Sequence, residues 1–272
     1  MNKTFDIKRL GMVMRWDFLT LKKHYAFGTV GCIISFVIYS LVWLNTIRGW
    51  NSAMDMTALY FTQESIFYTF LAFTTFYVMA SCIFTNLKKK TYRESFLMLP
   101  ANNLEKFMAR FLMMGLFNIV SLACILIVTD VIQLAFSYIL NPGFHVSISL
   151  PVMERILDTP MFTRFGEADA LLFSFLIFAH SFCTLGGTFY RKRAPLLTFV
   201  TALVLFMVLG YALNWINDLG IFHFHITFSE GTSYLFTTVI CIILLILSVF
   251  NYWASYKIFT RMQVTCNKWI NI

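Results

Sequence analysis

Asn118, Asp130, Gln133, His180 and Thr184 are polar side chains set inside otherwise apolar stretches of the chain. Groups of this kind form the steps of ion and substrate pathways, because burying them in hydrocarbon is expensive. Two of them also have plainer readings. Asp130 stands near the end of its apolar run and could simply be wet. His180 is followed by Gly186 and Gly187, small residues that let helices approach closely, so it can equally belong to a packing contact. Two further histidines, His223 and His225, sit two apart in FHFHITF. An extended strand would point both the same way, as a metal requires, but no acidic or cysteine cluster joins them to complete a ligand set. Interfacial aromatics dipping into a membrane account for the same stretch.

The motifs of hydrolytic chemistry do not occur. There is no HExxH, no GxSxG and no intramembrane pair of aspartates. None of the twelve glycines is followed by lysine, which excludes a P-loop, so the chain is not expected to be an enzyme or to hydrolyse nucleotide itself. Its six cysteines, Cys32, Cys82, Cys124, Cys183, Cys241 and Cys266, are scattered singly. Most fall in apolar runs, where a thiol behaves as a small hydrophobe, and this argues against a disulfide framework or a zinc site. No inverted repeat is visible, which weakens the reading as a stand-alone secondary transporter.

The elements that must position these residues are membrane helices. The chain has 272 residues, of which 59% are hydrophobic and only 12% charged, and its mean hydropathy is +0.73. Soluble domains carry about 25% charged residues, so the bilayer is the natural solvent. Six stretches free of acidic and basic side chains, 25–44, 66–87, 111–129, 171–190, 194–215 and 234–253, are each long enough to cross it. At about 1.5 Å per residue a 20-residue helix spans roughly 30 Å, the thickness of the hydrocarbon layer. No alternating pattern for a barrel is present. The third helix is expected to continue past Asp130 toward Leu140. The fold class is therefore an all-α polytopic membrane protein with six transmembrane helices.

Charge sets the orientation. Eighteen of the 21 basic residues lie in the N-terminal segment, in the connection between the second and third spans, at Arg191, Lys192 and Arg193, or in the tail. Only Arg48, Arg155 and Arg164 fall in the alternate loops, whereas all the acids except Asp6, Asp17, Glu94 and Glu105 lie toward that second side. Basic residues collect on the cytoplasmic side, which puts both termini inside. The net charge of +8 thus reports membrane orientation and implies no nucleic acid. Trp43, Trp50 and Trp215 at outer helix ends and Trp253 at an inner one form the belt that indoles prefer, with Trp16 and Trp269 in the flanking cytoplasmic segments.

The chain divides into a basic segment 1–24, a membrane domain 25–253 and a cytoplasmic tail 254–272. In the first, Ile7, Leu10, Met14, Phe18 and Leu21 recur at helical spacing, with Lys8, Arg15 and Lys22 on another face. This reads as an amphipathic helix lying on membrane lipid, or else as the helical start of the first span. The first apolar run begins too late and is too long for a cleavable leader. Loop 141–170 is acidic, contains Pro142, Pro151 and Pro160, and has room for a short amphipathic helix around PVMERIL. It is too short to bury a core of its own.

The connection between the second and third spans reads KKKTYRESFLMLPANNLEKFMAR. Thr91 with Glu94 suits the start of a short helix running to Leu99, where Pro100 ends it, and Asn102 with Glu105 suits the start of the third span. Such a short helix either lies flat on the lipid or fills a groove on a cytosolic partner. The run RESFLMLPANNLEKFMAR, with the six-span layout around it, resembles the permease subunit of an ABC-2-type transporter, in the variant common in Bacteroidota.

That resemblance implies an exporter in the bacterial cytoplasmic (inner) membrane, built from two permease copies, identical or similar, and two ATP-binding cassette subunits that hold the ATP and Mg. The short helix would act as a ball joint in a cleft of the ATP-binding subunit. Thr91, Tyr92, Arg93, Glu94, Phe96, Leu97, Met98 and Leu99 would form the joint, with FLML as the buried anchor, and Pro100 would set the angle into the third span. The competing expectation is a non-transporting scaffold or sensor that recruits a cytosolic partner.

Overall fold

The computed structural model describes residues 5–47, 53–140, 146–158, 166–218 and 230–262. Among them are the helices α1 (Ile7–Ile47), α2 (Ala53–Ser81), α3 (Lys90–Leu97), α4 (Asn103–Leu140), α5 (Ser149–Leu157), α6 (Glu167–Phe189), α7 (Ala194–Asp218) and α8 (Glu230–Thr260), and no strand. A short 3-10 turn, Thr85–Lys88, links α2 to α3. Six helices are long and apolar enough to cross a membrane: Ile7–Ile47, Thr57–Leu87, Asn103–Leu140, Asp169–Phe189, Ala194–Ala212 and Leu235–Thr260. The protein is thus an α-helical, multi-pass membrane protein.

Several boundaries differ from the sequence reading. Helix α1 runs without a break through residues 24 and 25, so the N-terminal segment and the first span are one helix of 41 residues. At about 1.5 Å per residue it is roughly 60 Å long, twice the hydrocarbon thickness. Helix α2 begins well before residue 66 and carries Glu64 inside it. The acid had marked the end of an apolar run, but a buried side-chain bond lets the helix continue through it. Helix α4 does extend past Asp130 to Leu140.

The two expected caps have opposite outcomes. Thr91 does not cap α3: it lies inside the first turn, behind an extended Lys89 that makes no side-chain cap. Glu94 instead pairs with Lys90 at 3.7 Å, one turn back on the exposed face. Helix α3 also stops at Leu97 rather than Leu99, since the residue before a proline disfavours helical backbone. At the start of α4, by contrast, the Asn102 N–H donates to Glu105 Oε2 at 2.8 Å. The other carboxylate oxygen accepts the Asp6 N–H at 2.8 Å. Glu105 is fully buried and satisfies two backbone donors at once.

The described chain forms two compact units. The first comprises Met1–Asp6, Tyr77–Phe107 and Gly166–Ile272. In it α6 packs along α8 and, over a shorter stretch, against α7. Close approach is achieved with glycine: a Cβ on Gly187 would stand 2.6 Å from the Ser81 carbonyl oxygen and 2.8 Å from that of Ala80, and one on Gly186 would run into Thr198. Phe84, Phe107 and Phe259 make an aromatic centre, with the Phe84 and Phe259 rings stacked at 5.0 Å and Phe107 5.8 Å from Phe259.

The second unit comprises Ile7–Phe76 and Met108–Phe165. Phe36, Leu44, Tyr60, Tyr68, Leu71, Ile125, Ile148 and Val152 are its buried core, drawn from α1, α2, α4 and the start of α5. Asp17 of α1 meets Arg110 of α4 in a fully buried ion pair with N–O 2.9 Å.

Because Gly187 faces rigid backbone, Gly187→Ala should cost about 1–3 kcal/mol through overpacking and lower the thermal midpoint of the detergent-purified protein. Gly210, with open space where its Cβ would be, is the control. Gly210→Ala should leave the midpoint unchanged or raise it.

Candidate functional site

The connection between the second and third spans folds into a clamped helix with one free face. With 3.6 residues per turn, Arg93, Phe96 and Leu97 share one side of α3, and Thr91, Ser95 and Met98 share the other. The first side turns into the protein. Phe96 is fully buried and its ring lies 6.2 Å from that of Phe259 near the end of α8. Arg93 is also buried, and Leu97 half-buried. Of the four residues FLML, Phe96 is thus buried within this chain, beside Phe259, whose ring stacks on Phe84 and lies tilted against Phe107.

The end of α3 is tied as well. Lys106 Nζ donates to the Leu97 carbonyl at 2.7 Å, placing a cation and a donor where the last turn of a helix leaves its carbonyls open. The Met98 N–H donates to the Glu94 carbonyl at 3.0 Å, and the Ala101 N–H to the Leu99 carbonyl at 2.8 Å, closing the turn around Pro100. Through Phe96 the helix is joined to the end of α8, and through Lys106 to the first turn of α4.

The second side faces outward. Met98 is 83% exposed and Tyr92 41%, with Thr91, Ser95 and Pro100 also exposed and Leu99 half-buried. Lys89 lies 5.9 Å above the Tyr92 ring, a cation–π arrangement on the rim. An exposed methionine at the end of α3, with a tyrosine and two lysines at its start and Glu94 one turn before it, gives the outer face an adaptable apolar tip and charge along its length.

The intramembrane candidates divide between the two units. In the first, His180 Nδ1 is 2.7 Å from the Tyr252 hydroxyl and Asn251 Nδ2 donates to Ser181 Oγ at 3.2 Å. Thr184 spends its hydroxyl on the His180 carbonyl, 2.9 Å away. These bonds make a polar seam between α6 and α8, beside the glycine contacts, which is the packing reading of His180. In the second unit, Asp130 is engaged at both carboxylate oxygens. Its Oδ1 accepts the Ile148 N–H at 2.8 Å and its Oδ2 accepts Ser147 Oγ at 2.7 Å, so it latches the start of α5 onto α4. Arg155 of α5 completes the latch with bonds to Thr62 Oγ1 at 2.7 Å and the Ala58 carbonyl at 3.2 Å. Asn118 is buried on α4, its carbonyl accepting Ser121 Oγ at 2.9 Å. His223 and His225 lie outside the described residues.

Sequence reasoning missed Glu64. It is fully buried on α2 and accepts Ser40 Oγ of α1 at 2.9 Å. Tyr60, one turn earlier on α2, is its neighbour, and Gln133 of α4 lies beside Tyr60. The Tyr-x-x-x-Glu spacing, which puts both groups on one helix face, was the available signal.

Compared with known protein families, curated proteins and solved structures, the chain matches none.

Phe96→Ala should destabilise the protein by about 3–5 kcal/mol, the usual cost of emptying an aromatic site. Met98→Ala, two residues on, should stay within about 0.5 kcal/mol of the parent. Thermal unfolding of the two purified variants checks which of them is held by this chain.

Proposed function

We propose that this chain is the transmembrane subunit of an ATP-driven transporter of the ABC-2 type, an exporter in a bacterial inner membrane. It is coupled through α3 to a separate ATP-binding cassette subunit, which carries the ATP and Mg. The observation that supports this reading is the two-sided character of α3. Its inner side is fixed to α8 by Phe96 and to α4 by Lys106, and its outer side leaves Tyr92 and Met98 uncovered. A force applied at Met98 would pass into the ends of two long apolar helices instead of being lost in a loose loop.

In this reading the basic face, with both termini, is cytoplasmic, and the functional assembly pairs this chain with a second permease copy, identical or similar. The contact is small, so its strength rests on a few side chains. Met98 supplies the apolar tip at the end of α3, Tyr92 a second contact near its start, and Lys89, Lys90 and Glu94 set the docking direction. The rival role, a scaffold that recruits a cytosolic protein without transport, uses the same knob. It differs in that nucleotide hydrolysis by the partner would be indifferent to the reconstituted membrane subunit.

Met98→Asp places a charge at the tip without touching the Phe96 clamp. A hot-spot loss of about 2 kcal/mol corresponds to roughly 30-fold weaker binding, enough to strip a nucleotide-hydrolysing companion during affinity purification from the native membrane. Met98→Leu should retain it. Retention of such a companion by Met98→Asp, or its absence from the parent protein, contradicts the proposal.

A further inference from the structure

Glu64 is the acid that the rest of the structure leaves over. Asp17 has Arg110, Glu105 has two backbone N–H groups, and Asp130 has the start of α5. Glu64 is fully buried within a membrane-spanning helix, and among the described residues no lysine, arginine or histidine pairs with it. Its shell consists of neutral groups on three helices. Ser40 Oγ of α1 donates to Oε2 at 2.9 Å. Tyr60, one turn earlier on α2, neighbours Glu64, and Gln133 of α4 lies beside Tyr60. Phe36, Tyr68 and Ile125 close the core around them.

We propose that Glu64 is a proton-binding site: a carboxylic acid held neutral in this closed joint of α1, α2 and α4, which releases its proton when the joint opens. A carboxylate in such surroundings would need a countercharge. The charged and titratable groups that face it do not provide one. From α1 there is Tyr39 and from α2 Tyr60, neither a cation, and Asp130 of α4, which neighbours Tyr60, is itself an acid. From α5 come Glu154 and Arg155, both exposed, with Arg155 occupied by Thr62 and Ala58. A metal ion would ask for several charged or carbonyl oxygens, and no group of three or more histidine, cysteine, aspartate or glutamate residues occurs among the described residues. The proton is the ligand that this shell fits.

In the neutral form Oε2 is the carbonyl oxygen that accepts from Ser40, and Oε1 carries the hydrogen. Release breaks the Oε1–H bond, passes the proton to a water admitted by the opening, and leaves the electron pair on the carboxylate. The ionised group then resists burial, so the joint stays open until it is protonated again. Proton exchange and the arrangement of three spanning helices are thereby linked. The inference rests on the joint alone and holds whether or not the chain works with an ATP-hydrolysing companion.

Infrared difference spectroscopy on the full chain in lipid nanodiscs, with pH steps and D2O exchange, tests this directly. The expected result is a protonated-carboxyl C=O band at neutral pH that exchanges slowly with D2O. It should be lost in Glu64→Gln, kept in Asp130→Asn, and moved to higher frequency in Ser40→Ala, where the hydrogen bond to the carbonyl oxygen is gone. Ser40→Ala keeps the carboxyl itself, so it reads the same band should Glu64→Gln fail to fold. A neutral-pH spectrum with no band that depends on Glu64, or a band that Ser40→Ala leaves unmoved, overturns the proposal.

Discussion

The burial of one phenylalanine governs how the connection between the second and third spans can be used. The ring of Phe96 lies beside Phe259 at the end of α8, which in turn meets Phe84, just after α2, and Phe107 at the start of α4. A fully buried side chain of this size contributes about 1.5–3 kcal/mol from removal of apolar surface alone. That is several times the worth of the exposed Lys90–Glu94 pair, about 0.3–0.5 kcal/mol for an i,i+4 contact. Without the ring in place, an eight-residue helix would be marginal, because isolated helices shorter than about 12–15 residues do not hold in water. The order of α3 is thus borrowed from the spanning helices, and so is its orientation.

Fixing one side of α3 determines what the other can offer. Lys106 holds the last turn from beneath and Glu105 fixes the entry into α4, so the exposed tip cannot swivel independently of the helices below. A joint that transmits motion needs this property, whereas a helix that merely rests on lipid does not. The buried polar groups of the second unit follow a matching logic. Asp17 and Arg110 are a pair whose separation would cost about 3–5 kcal/mol, and Asp130 is committed to a backbone latch. Glu64 is left as the group whose state can change without an ion pair being broken.

Much of the architecture was legible in the sequence. Six apolar runs gave six spanning helices, because length and the absence of charge are what hydrocarbon demands. The Asn102–Glu105 cap was also readable, since both partners lie within one turn. What misled were charges treated as solvent markers. Glu64 lies just before the second apolar run and Arg110 just before the third, yet each is buried with a partner remote in sequence, Ser40 and Asp17, that no local pattern announces. Phe96 shows the same limit. Four apolar residues in a row signal burial, but whether the pocket belongs to this chain or to another depends on Phe259, more than 160 positions away. Thr91 failed as a cap because α3 begins before it, at Lys90.

The most direct measurement is photocrosslinking in intact cells, with a photoreactive amino acid placed singly at position 98 or at position 96. If α3 is a joint whose inner side belongs to this chain, position 98 should capture a separate polypeptide carrying a P-loop, and position 96 should yield only crosslinks within the chain. Capture of that polypeptide from position 96, or of nothing but lipid from position 98, would contradict the account.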